Sequence, residues 1–250
     1  MPSIVWIEPG QPLPDPAPAP PDGLLAAGFD LSTERLHEAY SKGIFPWFSD
    51  GDPVLWWSPD PRMVLRCRDL KISRSLGKKL RQIQKQEHDP SAPIHITANM
   101  AFSDVMQACS QPRNGQAGTW ISPWMKEIYT KWHLEGYAHS IETWQHGTLV
   151  GGLYGVSLGG CFFGESMFSN ASDASKLALV YLTRFLVNNG VELIDCQQET
   201  AHLASLGAKP ISRAYFLETL AKTLQEPAPA WRCGQLLHHG EFALGATNPP

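Results

Sequence analysis

The strongest constraint on the fold is a change of hydrophobic period near residue 137. Before it, apolar residues recur at helical spacing, and after it apolar and polar residues alternate. Alternation predicts half-buried strands, which glycine-containing turns separate from one another. A long apolar helix follows Asp173, and one more strand ends at Gln197. The predicted strands are about 138–144, 148–157, 161–168 and 191–197. This order of three strands, a helix and a strand is typical of an α+β fold with a mixed sheet.

The order of these elements resembles the acetyltransferase-like (GNAT-like) fold, in which a splayed sheet binds an activated acyl group. That superfamily carries a pyrophosphate-binding loop of the form Arg/Gln-x-x-Gly-x-Gly/Ala. Residues 169–175, where the loop is expected, lack it. A coenzyme-A-dependent acyltransferase is therefore an alternative that the sequence does not favour.

Composition divides the whole chain into four parts. Residues 1–21 are a proline-rich arm with little ability to pack. Residues 22–62 are predicted to form a small α+β domain, whose helix has an N-cap at Ser32 and ends before Gly43. Residues 63–225 are expected, from the resemblance to that fold, to form the acetyltransferase-like domain, with later helices capped at Ser122 and Ser212. The tail, residues 226–250, has no pattern that assigns a structure.

Positive charge is concentrated in one segment, residues 62–85, called the basic stripe below. It carries nine basic residues against one acidic residue, a net charge of +8 in a chain whose total is −4. A solvated helix face is the ordinary explanation of such a run, but unopposed positive charge also suits nucleic-acid phosphates. The residues that this charge pattern predicts to bind nucleic-acid phosphates are Arg62, Lys71, Arg74, Lys78, Lys79, Arg81 and Lys85.

Cysteine usage and hydropathy favour a cytoplasmic location. The five cysteines are too far apart for a Cys-x-x-Cys pair or a zinc-ligand cluster. Residues 143–164 lack formal charge, but their seven glycines and alternating pattern indicate hairpin strands, not a membrane helix. We therefore expect no membrane partner and no metal.

Asp195 and Gln197 stand out at the end of a predicted strand. Alternation places them on one face and Cys196 on the other. A carboxylate beside an amide can orient an amine and a carbonyl or relay a proton, which predicts a catalytic pair. The alternative is a structural role, in which the side chains of Asp195 and Gln197 hydrogen-bond to backbone groups of the loop that follows the strand. Cys196 as a nucleophile is disfavoured, because no neighbouring histidine is evident as its base.

Glu165 follows Gly164 among aromatic and small residues. An unpaired carboxylate is costly there, so we expect a hydrogen-bonded partner, either a substrate amine or an internal group. Gly164 permits close approach of a ligand or backbone. Trp47, Trp56, Trp57 and Trp120 lie in Pro- or Gly-bounded segments, where they serve either as core or as stacking platforms for bases.

Motifs of other enzyme classes are absent from the sequence. There is no Walker-type phosphate loop, no dinucleotide-binding Gly-x-Gly-x-x-Gly and no nucleophile elbow. Two functions stay open at this point, a coenzyme-A-dependent acyltransferase and a non-catalytic RNA-binding module. The second leaves Asp195 and Gln197 without a purpose.

Several blocks together resemble the bacterial leucyl/phenylalanyl-tRNA–protein transferase family. The resemblance covers roughly residues 22–225. Its blocks are Ala39–Phe48, Leu55–Arg62, Gly118–Ile121, His139–Glu142, Gly164–Ser169, Leu193–Gln197 and Ala204–Ala208.

The resemblance implies transfer of Leu or Phe, and less readily Met, from aminoacyl-tRNA to proteins that begin with Arg or Lys. The added residue marks the acceptor for degradation. Because the donor ester is already activated, no cofactor is implied. Asp195 and Gln197 would be catalytic, and Asp195 is expected to act as general base or electrostatic orienter. The substrate-binding residues would be Tyr40, Trp47, Trp120, Glu165, Leu153, Phe162, Gly164, Phe168, Leu179 and Ile194.

Overall fold

A computed structural model describes residues 4–111 and 121–248, which form two sheets flanked by helices. The smaller sheet has the strand order β1-β2-β4-β3, with β1 and β2 parallel and the other pairs antiparallel. Its strands are β1 (Val5–Ile7), β2 (Leu24–Gly28), β3 (Phe45–Pro46) and β4 (Val54–Trp57).

The larger sheet has eight strands in the order β11-β5-β10-β9-β8-β7-β6-β12. β9 and β10 are parallel and the other neighbours antiparallel, so the predicted mixed sheet and α+β class are confirmed. Its strands are β5 (Arg62–Arg66), β6 (Ile94–Ala98), β7 (Ala138–Gln145), β8 (Thr148–Leu158), β9 (Cys161–Ser169), β10 (Leu193–Gln197), β11 (Lys209–Ile211) and β12 (Gly234–Gln235).

Serine caps begin several of the seven α-helices found in the described residues. Ser32, Ser122 and Ser212 accept the backbone N–H three residues on, as the sequence predicts. Gly43 follows the first helix with a φ of +70°, which explains the glycine there. The helices are α1 (Thr33–Ser41), α2 (Arg74–Gln86), α3 (Phe102–Cys109), α4 (Pro123–Leu134), α5 (Ala174–Asn188), α6 (Ala201–Leu206) and α7 (Arg213–Thr223).

The core lies on both faces of the larger sheet. α5 is apolar nearly all round and packs against β7, β8 and β9. α2 covers the same side, where Leu76 and Leu80 join a buried cluster with Leu179 and Leu182 of α5. α3 and α4 pack together over the opposite face.

The proline-rich arm packs on the protein, so the expectation of an arm with little ability to pack is wrong. Val5–Ile7 adds a parallel strand to the smaller sheet, and Leu13 is buried. Prolines cannot donate hydrogen bonds, but the carbonyl groups of the arm accept them. The guanidinium of Arg213 on α7 donates to the carbonyls of Ala19 and Pro20 and, at 2.6 Å, to that of Ser58. The tail is also packed, with Trp231 and Leu236 buried.

The described helices include none long and apolar enough to cross a membrane. Over the same residues, no group of three or more His, Cys, Asp or Glu side chains is arranged to hold a metal ion.

Candidate active site

A cavity of about 330 Å³ lies beside the middle of β9 and the carboxyl end of β10. Strands β3, β5, β8, β9 and β10 and helix α5 line it together with the residues after β10. Eight residues singled out in the sequence meet on its wall: Trp47, Leu153, Phe162, Gly164, Glu165, Leu179, Ile194 and Gln197. Tyr40, Phe168 and Asp195 lie outside the lining, and Trp120 lies outside the described residues.

The inner wall of the cavity is apolar. Leu153, Phe162, Leu179 and Ile194 are all buried, because three neighbouring strands and one helix face converge there. A break in the β8–β9 register at Gly155 accommodates the Phe162 ring. A Cβ at Gly155 would come within 2.5 Å of that ring and 2.3 Å of the Phe163 carbonyl oxygen.

Glu165 supplies the carboxylate of the cavity wall. Its Oε1 accepts hydrogen bonds from the Tyr40 hydroxyl and from Nε2 of Gln197, each at 2.7 Å. The hydroxyl of Tyr129 lies 2.6 Å from that of Tyr40, which extends the chain of hydrogen bonds into the core. Internal polar groups are therefore the partners of Glu165.

Loss of hydration raises the pKa of Glu165 to about 7. The hydrogen bond from Tyr40 lowers this pKa and the negative charge of Asp195 raises it, while the bond from Gln197 and the charge of Arg62 lower it. A carboxyl group with a pKa near neutrality can exchange its proton under the conditions in which an α-amine begins to be neutral.

Gln197 has an unusual backbone conformation for a residue at a strand end. Its φ is +64°, in the left-handed region, and the pairing of β10 with β5 shifts register between Asp195 and Gln197. The expected alternation therefore breaks at this point, and both Cys196 and Gln197 line the cavity. Burial raises the pKa of the Cys196 thiol, which agrees with the low expectation of a nucleophilic cysteine.

Asp195 lies behind the cavity wall and is fully buried. Its Oδ1 accepts from Nε of Arg62 at 2.8 Å and its Oδ2 from Nη2 at 2.6 Å. Oδ1 also accepts from the backbone N–H of Gln197 at 2.9 Å. The prediction that Arg62 binds nucleic-acid phosphates is therefore wrong. Its side chain is 1% exposed and pairs with a carboxylate contributed by a strand that is distant in the sequence.

Three further cavity or network residues have no distinguishing signal in the sequence. Tyr129 sits on the apolar side of α4 and Tyr154 on β8, where both have the spacing of core residues. Tyr154 lines the cavity, and its buried hydroxyl has no hydrogen-bond partner among the described residues. Gln198 follows the strand and also borders the cavity.

Sequence models of known families match most of this chain. The model described as leucyl/phenylalanyl-tRNA protein transferase matches residues 64–221, and the model of that family's N-terminal domain matches residues 29–60. The chain belongs to the leucyl/phenylalanyl-tRNA–protein transferase family. Members of this family are aminoacyltransferases, and the predicted enzyme class is thereby confirmed.

Relatives in this transferase family match along nearly their full length. The leucyl/phenylalanyl-tRNA–protein transferase of Bordetella avium is 56% identical over 246 residues, which are 98% of each chain. That of Chromobacterium violaceum is 54% identical and covers 90% of this chain and 94% of the relative. Among solved structures, a GCN5-related N-acetyltransferase from Kribbella flavida matches at 10% identity and a TM-score of 0.35, over 75% of this chain and 64% of the other.

The basic stripe of this transferase includes α2, whose buried side packs in one cluster with Leu179 of the cavity wall. Its exposed cations are Arg66, Arg68, Lys71, Arg74, Lys78, Arg81 and Lys85. Lys79 is half-buried, with its Nζ 2.8 Å from the carbonyl oxygen of Ser172 and 3.3 Å from a carboxylate oxygen of Asp173. Lys79 thus ties α2 to the start of α5, whereas the exposed cations can meet an external anion.

Proposed function

We propose that this chain transfers Leu or Phe, and less readily Met, from aminoacyl-tRNA to the α-amino group of proteins that begin with Arg or Lys. The observation that carries the proposal is one carboxylate, Glu165, in the lining of a cavity whose inner wall is apolar. Such a cavity suits an apolar donor side chain and a cationic acceptor together. Marking of the product for degradation follows from the family resemblance.

The size and lining of the cavity support an apolar donor. A volume of about 330 Å³ holds the side chain of Leu, Met or Phe together with its ester group. Leu153, Phe162 and Leu179 offer no hydrogen-bonding side chain to a polar amino acid. A polar donor would lose its water there without compensation.

The charge of Glu165 supports a cationic acceptor. Its Oε1 is engaged by Tyr40 and Gln197, and, of the described residues, Glu165 is the one acidic residue that lines the cavity. When ionised, it attracts the guanidinium or ammonium group of an N-terminal Arg or Lys. A charged pair in a partly desolvated site is worth more than one on the surface.

The reaction depends more on the orientation of the acceptor amine and the donor ester than on their chemical activation. The amine nitrogen of the acceptor attacks the ester carbonyl carbon of the donor, the new C–N bond forms, and the ester C–O bond breaks. The proton lost by the amine passes to the ribose oxygen that leaves with the tRNA. An α-amine with a pKa of about 7.7–8 is already partly neutral near pH 7. Gln197 holds the amine and carbonyl in attack geometry.

The exposed cations of the basic stripe support a tRNA donor. Phosphate contacts position a nucleic acid without reading its sequence. Trp47, which is 41% exposed, lies at the cavity mouth beside Trp57, with ring centroids 5.7 Å apart, and offers a face for an unpaired terminal base. We place the reaction in the cytoplasm, where aminoacyl-tRNA is the available donor.

Transfer of labelled amino acid to an Arg-initiated peptide tests the proposal. Leucyl-, phenylalanyl- and methionyl-tRNA should all serve as donors, with methionine the poorest, and aspartyl-tRNA should not. Acetyl-coenzyme A should give no acylated peptide. Acetylation of the peptide, or tRNA binding without transfer from any donor, would refute the proposal in favour of one of the two alternatives.

A further inference from the structure

Arg62 is held at the centre of the molecule by a carboxylate and two aromatic rings. Two of its guanidinium nitrogens bind Asp195, and its Cζ lies 4.9 Å from the ring centre of Phe45 and 4.5 Å from that of Phe216. The third nitrogen, Nη1, is buried without an acceptor among the described residues. The two aromatic faces provide electrostatic compensation to the cation. Arg62 therefore joins β3, β5, β10 and α7 at one point.

Among the described residues, the backbone of Gln197 provides a hydrogen-bond connection from Asp195 to the cavity. Both carboxylate oxygens accept from Arg62, and Oδ1 also accepts from the backbone N–H of Gln197. Asp195 is 0% exposed and does not line the cavity. It is thus placed to fix the backbone of Gln197 and is not placed to take a proton from a bound amine.

Gln197 needs that support because its backbone is strained. A residue with a side chain is disfavoured at a φ of +64° and persists there when its surroundings hold it. The bond from its N–H to Asp195 holds one end, and the bond from Nε2 to Glu165 shows where the side chain is aimed. A relaxed backbone would turn this amide away from the carboxylate.

We propose that Arg62 is a positioning residue for the transfer step: it fixes Asp195, which keeps Gln197 in its left-handed conformation with the side-chain amide on Glu165. The same guanidinium stacks on Phe45, two residues before Trp47 at the cavity mouth. Asp195 is then a second positioning residue and not a general base, which is one of the two roles expected for it from the sequence. This inference rests on the proposed function.

Two double variants separate positioning from proton transfer. R62M/D195A removes the ion pair and the acceptor of the Gln197 N–H, without leaving a buried charge unpaired. R62M/D195N also removes both charges but keeps a carbonyl oxygen opposite that N–H. We expect single-turnover transfer from bound leucyl-tRNA to slow about 100-fold in R62M/D195A, the cost of misplacing a reacting group. R62M/D195N should recover part of that loss, and the Kd for leucyl-tRNA should stay unchanged in both.

Arg213→Lys is the matched control, because Arg213 is also a buried arginine that binds main-chain groups of the N-terminal region away from Gln197. It should lower the melting temperature and leave the transfer rate unchanged. Equal loss in the two double variants would overturn the inference in favour of Asp195 as base. Wild-type rates in both would also overturn it.

A crystal structure of R62M/D195A gives a readout that does not depend on the reaction. Gln197 should leave the left-handed region and lose its hydrogen bond to Glu165. If Gln197 kept its φ and its 2.7 Å bond, the inference would fail even where the transferase activity holds. If the wild-type chain transferred no amino acid, the proposed function would fail. The crystal structure of R62M/D195A would then be the test of whether Arg62 positions Gln197.

Discussion

Replacing Glu165 by Gln tests the acceptor site with little change in shape. The amide oxygen of Gln can accept the bonds that Tyr40 and Gln197 now donate to Oε1. The variant therefore removes the negative charge and keeps the hydrogen-bond framework. We expect it to fold, to bind leucyl-tRNA and to lose its preference for Arg- or Lys-initiated acceptors.

The size of the loss follows from the position of the carboxylate. Removing one partner of a desolvated, hydrogen-bonded charge pair costs about 2–5 kcal/mol. The lower bound applies here, because Glu165 is half-buried and the cavity is open to water. We therefore expect kcat/KM for an Arg-initiated peptide to fall at least about 30-fold, with a much smaller fall for an Ala-initiated peptide.

The pH dependence has a definite sign. The pKa of Glu165 in the folded protein is about 7, above its ordinary value of 4.5. Its ionised form, which binds a cation, gains population as pH rises through 7, so kcat/KM for the Arg peptide should rise there. The protonated form stabilises the fold fully below about pH 4.5, and this contribution is lost as pH rises through about 7. The stability change is about 3 kcal/mol at most, reduced by solvent in the cavity.

The assay is initial-rate transfer from leucyl-tRNA to Arg- and Ala-initiated peptides between about pH 5.5 and 8.5, a range that brackets the pKa of Glu165, with chemical denaturation at the same pH values. Glu142→Gln is the control. Glu142 is also a buried carboxyl group, and its pKa is raised by burial, but it bonds Ser140 and Thr97 outside the cavity. The Glu142→Gln variant should change the free energy of unfolding and leave the transfer rates for both peptides unchanged. If Glu165→Gln kept the preference for Arg, the assignment of the acceptor site would be refuted.

Three further changes have expected outcomes. Leu153→Trp should fill the inner cavity and cut the use of phenylalanyl-tRNA about tenfold more than that of leucyl-tRNA, and equal losses would show that the donor side chain binds elsewhere. Lys78→Ala/Arg81→Ala, which changes two exposed cations and keeps the internal contacts of Lys79, should weaken the binding of all tRNAs alike and reduce the salt slope of tRNA affinity by about one for each phosphate that is no longer neutralised, with the exposed Lys222→Ala on α7 as control. A short aminoacyl-adenosine mimic should react normally with that double variant, and a parallel loss would mean that the stripe is structural. Tyr40→Phe removes a donor that lowers the pKa of Glu165, so the acid limb of the pH–rate profile should move to higher pH, and an unmoved limb would contradict the role of this hydrogen bond.

The local sequence pattern is sufficient to predict the helices and strands whose hydrophobic periodicity is strong. The three strands from residue 138, the helix after Asp173 and the serine caps all depend on neighbours within a few positions. Several elements, β2, β6 and α6 among them, have weak local signals and are not predicted from the sequence. They are short, and tertiary pairing decides their conformation.

The candidate cavity is predictable as a set of residues, but its internal arrangement is not. Arg62 and Asp195 are 133 positions apart, and no periodicity links them. Arg62 adjoins a run of exposed cations, so the sequence groups it with them, whereas the fold turns its side chain inward. The register break after Asp195 likewise has no sequence signature, because Gln is an uncommon residue at a positive φ.

Mass spectrometry of the peptide product tests the central claim most directly. Purified enzyme, leucyl-tRNA and four peptides that differ in their first residue — Arg, Lys, Ala and N-acetylated Arg — are incubated together and sequenced by fragmentation. The account predicts one leucine joined to the α-amine of the Arg and Lys peptides, little on the Ala peptide and none on the blocked one. Leucine on a lysine side chain, equal labelling of the Ala peptide, or no product from any peptide would contradict it.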